Sequence, residues 1–177
     1  MKAAAFEYLR PESIEQALDK LGDDGISFGK LLGGGQSLGP MMNLRLVQPD
    51  RLVDVSSLSA LQSVTKEGQS LRIGAAVRHA QIEDGQVPDE TKGLLTYVAG
   101  GIAHRAVRNR GTLGGSLIHA DPSADWVATM RLLDATLVLQ SPQRNRRMQA
   151  RDFFIAAFTT AIEDNEVLVA VEVPCFS

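Results

Sequence analysis

At 177 residues the chain is long enough for one domain with a buried core, and 44% hydrophobic and 22% charged residues are ordinary for a globular protein. A net charge of -3 and an aromatic content of 5% leave neither a global positive field nor a base-stacking surface, which excludes nucleic acid as an expected partner. No apolar stretch approaches the ~18 residues of a membrane span. The single cysteine, Cys175, supplies no internal disulfide, iron–sulfur ligand set or zinc site, so a cytoplasmic location is expected.

Taken in chain order, the first signal is a capping box: Ser13, after Pro11, with Gln16 three residues on. Ile14, Ala17, Leu18 and Leu21 then recur at helical spacing until Gly22. Residues 28–32 read as a buried strand running into Gly33-Gly34-Gly35. A brief helix is expected over 37–46, ended by Pro49, and a second strand over 51–55. These elements make a small N-terminal strand–helix–strand lobe, residues 1–56.

From residue 57 the texture changes. Residues 61–65 and 71–75 flank Lys66-Glu67-Gly68-Gln69, a hairpin signal. Helices are expected over 79–84, 91–104 and 124–133, and strands over 135–140 and 166–173, the last with the alternation of an antiparallel strand. Residues 57–177 thus read as a larger mixed lobe around an antiparallel sheet, and the whole chain as α+β.

Gly33-Gly34-Gly35-Gln36-Ser37-Leu38, between a strand and a helix start, is a candidate anion site. Glycine lets backbone approach a phosphate, and free N–H groups there donate to it. Ser37 adds a hydroxyl. The alternative is a plain tight turn. No Lys-Ser or Lys-Thr pair follows, so this is no P-loop, and Leu38 stands where a GxGxxG fingerprint requires glycine. Asp54 lies where a ribose-binding acid would fall, but a hairpin follows it rather than another βαβ unit, so the Rossmann reading fails.

A second glycine loop, Gly111-Thr112-Leu113-Gly114-Gly115-Ser116, follows Arg108-Asn109-Arg110 and precedes His119-Ala120-Asp121-Pro122. Two anion-cradling loops in one domain suggest a diphosphate gripped from both sides. Replacing Gly114 or Gly115 by Val is then expected to abolish binding with the fold intact. Downstream, Asp125 can accept hydrogen bonds from ribose or ribityl hydroxyls. Arg105, Arg108 and Arg110 either help neutralise a diphosphate or form a solvated helix end. Arg144, Arg146 and Arg147 read as an exposed turn between two strands, His119 as a hydrogen-bonded core residue, and Met41 and Met42 as core filler.

In order along the chain, three stretches resemble the FAD-binding (medium) subunit of the xanthine dehydrogenase and carbon monoxide dehydrogenase type molybdenum hydroxylases. The first is residues 33–38 with Met42-Asn43-Leu44-Arg45-Leu46 and Leu52-Val53-Asp54-Val55. The second is residues 109–116 with His119-Ala120-Asp121-Pro122 and Ala124-Asp125. The third is residues 166–174. The resemblance implies a two-lobed FAD-binding fold of the PCMH type. It implies that Gly33, Gly34, Gly35, Gln36 and Ser37 together with Thr112, Leu113, Gly114, Gly115 and Ser116 hold the FAD diphosphate. By the same resemblance Asp125 holds sugar or ribityl hydroxyls, and Ile102 and Leu168 line the cofactor.

The implied role is electron transfer from [2Fe-2S] clusters of an iron–sulfur subunit to an external acceptor, beside a molybdopterin subunit that transforms the organic substrate. The chain itself is expected to supply no catalytic side chain and no metal ligand. Two rivals stay open: a stand-alone flavin oxidoreductase and a truncated, non-catalytic remnant. Family members more often have Ala where Gly33 stands. They usually continue past the strand ending at Pro174 into a C-terminal domain, which this chain is expected to lack. That absence is expected to expose apolar surface near Leu168 and Phe176.

Overall fold

In the computed structural model, residues 2–22 and 28–176 are described. The chain opens with a short strand β1 (Glu7–Leu9), helix α1 (Ile14–Gly22) and strand β2 (Gly29–Leu32). Helix α2 (Leu38–Asn43) and strand β3 (Arg51–Asp54) follow. β3 is central in a three-stranded parallel sheet ordered β1-β3-β2, with Tyr8 and Lys30 both opposite Leu52. Ser13 starts α1 as expected, its hydroxyl accepting from the Gln16 N–H at 3.2 Å, while the Gln16 side chain accepts from the Glu12 N–H at 2.9 Å. β1 lies outside the sequence expectation because Glu7 and Tyr8 are exposed on an edge and give no apolar signal.

Next come a single helical turn α3 (Ser59–Gln62) and the hairpin β4 (Val64–Glu67) and β5 (Ser70–Gly74), with Gly68 at φ 60 in its two-residue turn. Helices α4 (His79–Glu83), α5 (Leu94–Gly101), α6 (Arg105–Arg108), α7 (Leu113–His119) and α8 (Asp125–Leu132) then lead to strands β6 (Thr136–Gln140) and β7 (Asn145–Gln149). A short helix α9 (Ala150–Phe153), the small hairpin β8 (Phe154–Ala156) and β9 (Thr159–Thr160), and the long strand β10 (Val167–Pro174) complete the fold. The second sheet is antiparallel, in the order β4-β5-β10-β6-β7, so the mixed lobe around an antiparallel sheet is as read from the sequence.

β10 departs from the alternation expected of it. Residues 167–173 are buried on both faces. One face joins the main core with Leu95, Leu117, Trp126 and Met130. The other packs Val167, Val169 and Ala170 against Ile14, Ala17 and Leu18 of α1 and Val53 of β3. A strand covered on both sides reads as a continuous apolar run. The same cover overturns the expectation for Leu168, which is 4% exposed within the main core, whereas Phe176 is 45% exposed.

A second correction concerns the arginines near residue 145. Arg146 and Arg147 lie on β7, not in a turn, and cross the sheet to buried acids. Arg146 forks onto Glu166 at 2.6 and 2.7 Å, and Arg147 pairs with Glu172, which Arg72 also meets at 3.0 Å. No helix among the described residues is long and apolar enough to cross a membrane.

Candidate functional site

The first glycine loop leaves β2 at Leu32, whose carbonyl is held by the Val55 N–H at 3.0 Å, and enters α2 at Leu38. Gly35 turns the chain at φ 68, a conformation that favours glycine. Its carbonyl accepts from the Gly39 N–H at 3.0 Å and that of Ser37 from the Met41 N–H at 3.1 Å. The N–H groups of Gly34, Gly35, Gln36 and Ser37 find no acceptor among the described residues. Ser37 makes no side-chain cap and its hydroxyl is exposed. This loop is a row of unspent donors, as an anion site requires.

The second loop is built differently from the first. Its N–H groups are largely spent inside the protein. Leu113 donates to the Val77 carbonyl at 2.9 Å, Gly114 to Ala75 at 2.8 Å, Ser116 to Thr112 at 3.1 Å, and Gly115 to the Thr112 hydroxyl oxygen at 3.1 Å. The last bond makes Thr112 the N-cap of α7. A strand-like bridge between Arg78 and Thr112 fastens the loop to the chain entering α4. Leu113 is fully buried and Gly114 is buried, and a Cβ on Gly114 would lie 2.6 Å from the Ala75 Cβ. Gly114 is therefore a packing glycine, and the expected separation of its binding role from folding does not hold.

The two loops touch. A Cβ on Gly33 would stand 2.8 Å from the Thr112 Oγ1, and one on Gly34 would stand 2.1 Å from the Arg110 carbonyl oxygen. Beneath them His79 is buried. Its Nδ1 accepts the Trp126 indole N–H at 3.1 Å, and its backbone N–H donates to the Gly111 carbonyl at 3.0 Å. Burial, reinforced by the Arg108 charge, pushes the imidazole pKa down to about 4, so it is neutral near pH 7.

The basic run divides into two sets. Arg105 pairs with Glu83 and Asp84 at 2.7 and 2.6 Å. Arg108 forks onto Glu83 at 2.8 and 2.9 Å while donating to the Ile102 carbonyl at 2.8 Å. Both are committed to holding α4 against α6. Arg110 forms no ion pair among the described residues and lines a cleft of about 430 Å³ together with Gly33, Gly34, Gly35, Gln36 and Arg78.

Phe6, Tyr8, Met42, Leu52 and Asp54 line the rest of that cleft. Asp54, set aside at the sequence level with the Rossmann reading, is buried there. It accepts the Tyr8 hydroxyl and the Ser56 N–H. Burial raises its pKa, but the hydrogen bonds from Ser56 and Tyr8 outweigh it and hold the carboxyl below its ordinary value. Tyr8 and Arg78 escaped the sequence reading because a lone exposed residue of either type has no local signature.

The other candidates lie apart from the cleft. Ile102 caps α5 and packs, half-buried, against the main core, where Leu168 is also found. Asp125 is exposed at the first turn of α8, and Ser116 is half-buried on α7. Unspent N–H donors beside a cleft that two arginines without an ion pair, Arg78 and Arg110, also line fit the diphosphate of a dinucleotide.

Residues 4–176 match the model of a family described as the FAD binding domain in molybdopterin dehydrogenase. The 6-hydroxypseudooxynicotine dehydrogenase complex subunit alpha of Paenarthrobacter nicotinovorans is 37% identical over 98% of this chain and 58% of its own length. The carbon monoxide dehydrogenase medium chain of Hydrogenophaga pseudoflava is 38% identical over 97% of this chain and 60% of its own. A solved structure of carbon monoxide dehydrogenase from the same organism, lacking the Mo-pyranopterin moiety, superposes with a TM-score of 0.95. It is 38% identical, with 100% of this chain and 61% of that one covered. The chain thus spans about three fifths of the length of the curated relatives it matches.

Proposed function

The chain belongs to the family of FAD-binding domains of molybdopterin dehydrogenases, and from that premise we propose that it is the FAD-holding part of a molybdenum hydroxylase's flavoprotein subunit. Its partners on this reading are an iron–sulfur subunit and a molybdopterin subunit, in the cytoplasm. Relatives named as subunits of dehydrogenase complexes support the heteromeric setting. When bound, FAD supplies the isoalloxazine ring that exchanges electrons with those clusters and with an external acceptor.

The observation that carries the reading is the row of unspent N–H groups from Gly34 to Ser37 beside a cleft that Arg78 and Arg110 also line. The loop donates to the diphosphate, Ser37 adds its hydroxyl, and Thr112 seats the loop through Gly33. Gly115 and Ser116 extend the contact where α7 is accessible. Asp125, Ile102 and Leu168 are assigned to the flavin half of the ligand on resemblance alone.

The test is to load the purified chain with flavin, denature it and identify what is released by chromatography. FAD is the expected species, since FMN has one phosphate and leaves half of the donor set idle. FMN as the main species would sink the assignment.

A further inference from the structure

Resting on the FAD-binding reading, we propose that Arg78 and Arg110 are the two side chains that neutralise the ligand's diphosphate, completing the site that the Gly34–Ser37 N–H groups begin. The case starts from elimination within one basic cluster. Arg105 and Arg108 are saturated by Glu83, Asp84 and the Ile102 carbonyl, so their charge is already compensated. Arg78 and Arg110 form no ion pair among the described residues, yet both line the cleft of the first glycine loop.

Their placement is fixed by backbone. The bridge between Arg78 and Thr112, with the His79 N–H on the Gly111 carbonyl and the Leu113 N–H on the Val77 carbonyl, sets Arg78 beside the Gly111-Thr112 segment that directly follows Arg110. Gly34 in turn rests on the Arg110 carbonyl, so the donor loop and both arginines are held by one set of contacts. A guanidinium presents a planar fork of donors, which suits the oxygens of a phosphate better than a point charge does. Two forks and a row of neutral N–H groups match two linked phosphates rather than one.

Equilibrium titration of the full chain with FAD, followed by flavin fluorescence, tests the assignment. Arg78→Ala and Arg110→Ala are each expected to weaken FAD binding by about 10- to 150-fold, the loss of a hydrogen bond to a charged group. Both should flatten the salt dependence of binding. Inorganic pyrophosphate should compete with FAD on the wild-type chain and lose that competition in the double variant. Arg105→Ala, from the same cluster, should leave FAD affinity unchanged. Wild-type affinity for FAD in a folded double variant would overturn the arginine assignment and leave the family reading standing. A wild-type chain that binds pyrophosphate through the two arginines but not FAD would overturn the FAD-binding reading and leave the anion site standing.

Discussion

A Cβ on Gly34 would lie 2.1 Å from the carbonyl oxygen of Arg110 and 2.6 Å from the Gly111 Cα. Both are backbone atoms, so nothing nearby can rotate away. Gly34→Ala must push the two glycine loops apart, at a cost in the overpacking range of about 1–3 kcal/mol. It should also scatter the N–H donors, so FAD affinity falls together with thermal stability. Gly100, on the exposed side of α5 with nothing within 4 Å of a Cβ, gives the contrast. Gly100→Ala should stabilise by roughly 0.5–1 kcal/mol. A Gly34→Ala protein that melts with the wild type would show that the loops do not depend on this contact.

The two glycines of the second loop should separate. At Gly114 a Cβ meets the Ala75 Cβ at 2.6 Å and its carbonyl oxygen at 2.7 Å, where the Gly114 N–H already donates. At Gly115 the near atom is the Thr112 Oγ1 at 2.8 Å, the end of a capping side chain that can turn. Gly114→Ala should therefore destabilise by about 1–3 kcal/mol, and Gly115→Ala by about the ~1 kcal/mol of a lost cap. Urea unfolding of both variants measures this. Equal stabilities would remove the distinction between packing and cap.

What could be read from the sequence was local. The capping box at Ser13 and Gln16, the turn at Gly68, and the first glycine loop are each set by neighbours a few residues apart. The polar strand β7 hid because Asn145, Arg146 and Arg147 resemble a turn until Glu166 and Glu172 are brought across the sheet. The same holds for the site. Tyr8 and Asp54 are 46 residues apart in sequence, and their hydrogen bond exists only because β1 and β3 are parallel neighbours. The uneven division of N–H donors between the loops depends on the bridge from Thr112 to Arg78, which no spacing rule announces.

Glu166 is a buried carboxylate whose charge Arg146 makes tolerable. Burial raises its pKa, while the Arg146 fork and the Glu163 N–H outweigh that and hold it low. Arg146→Met leaves the carboxylate buried without its cation, which should cost about 3–5 kcal/mol. Adding Glu166→Leu to that variant should recover much of the loss, since an apolar pair carries no desolvation penalty. Chemical denaturation of both proteins at pH 7 checks the cycle. A single variant no less stable than the double would mean that water, not Arg146, satisfies Glu166.

The neutral imidazole of His79 gives the fold a pH dependence of defined sign. Trp126 can only donate, so Nδ1 must stay unprotonated to accept its indole N–H. The folded pKa, depressed by burial and then by Arg108 to about 4, lies below the ordinary 6.5 of the unfolded chain. Between those values the unfolded state binds more protons, so stability rises with pH across the window. The contribution is complete above pH 6.5, shrinks as pH falls, and is gone below 4, a total of about 3 kcal/mol at 1.36 kcal/mol per unit. From pH 6.5 to 5 the fold should lose roughly 1.5 kcal/mol. The paired carboxylates, whose unfolded pKa values lie near 4.5, add their losses mainly below that range. His79→Gln retains an acceptor for Trp126 without a titrating ring and should be nearly flat from pH 6.5 to 5. Urea midpoints across that range, with the His79 ring followed by NMR, decide it. A ring that titrates near 6.5, or a glutamine variant that loses as much stability as the wild type, would take the pH dependence away from His79.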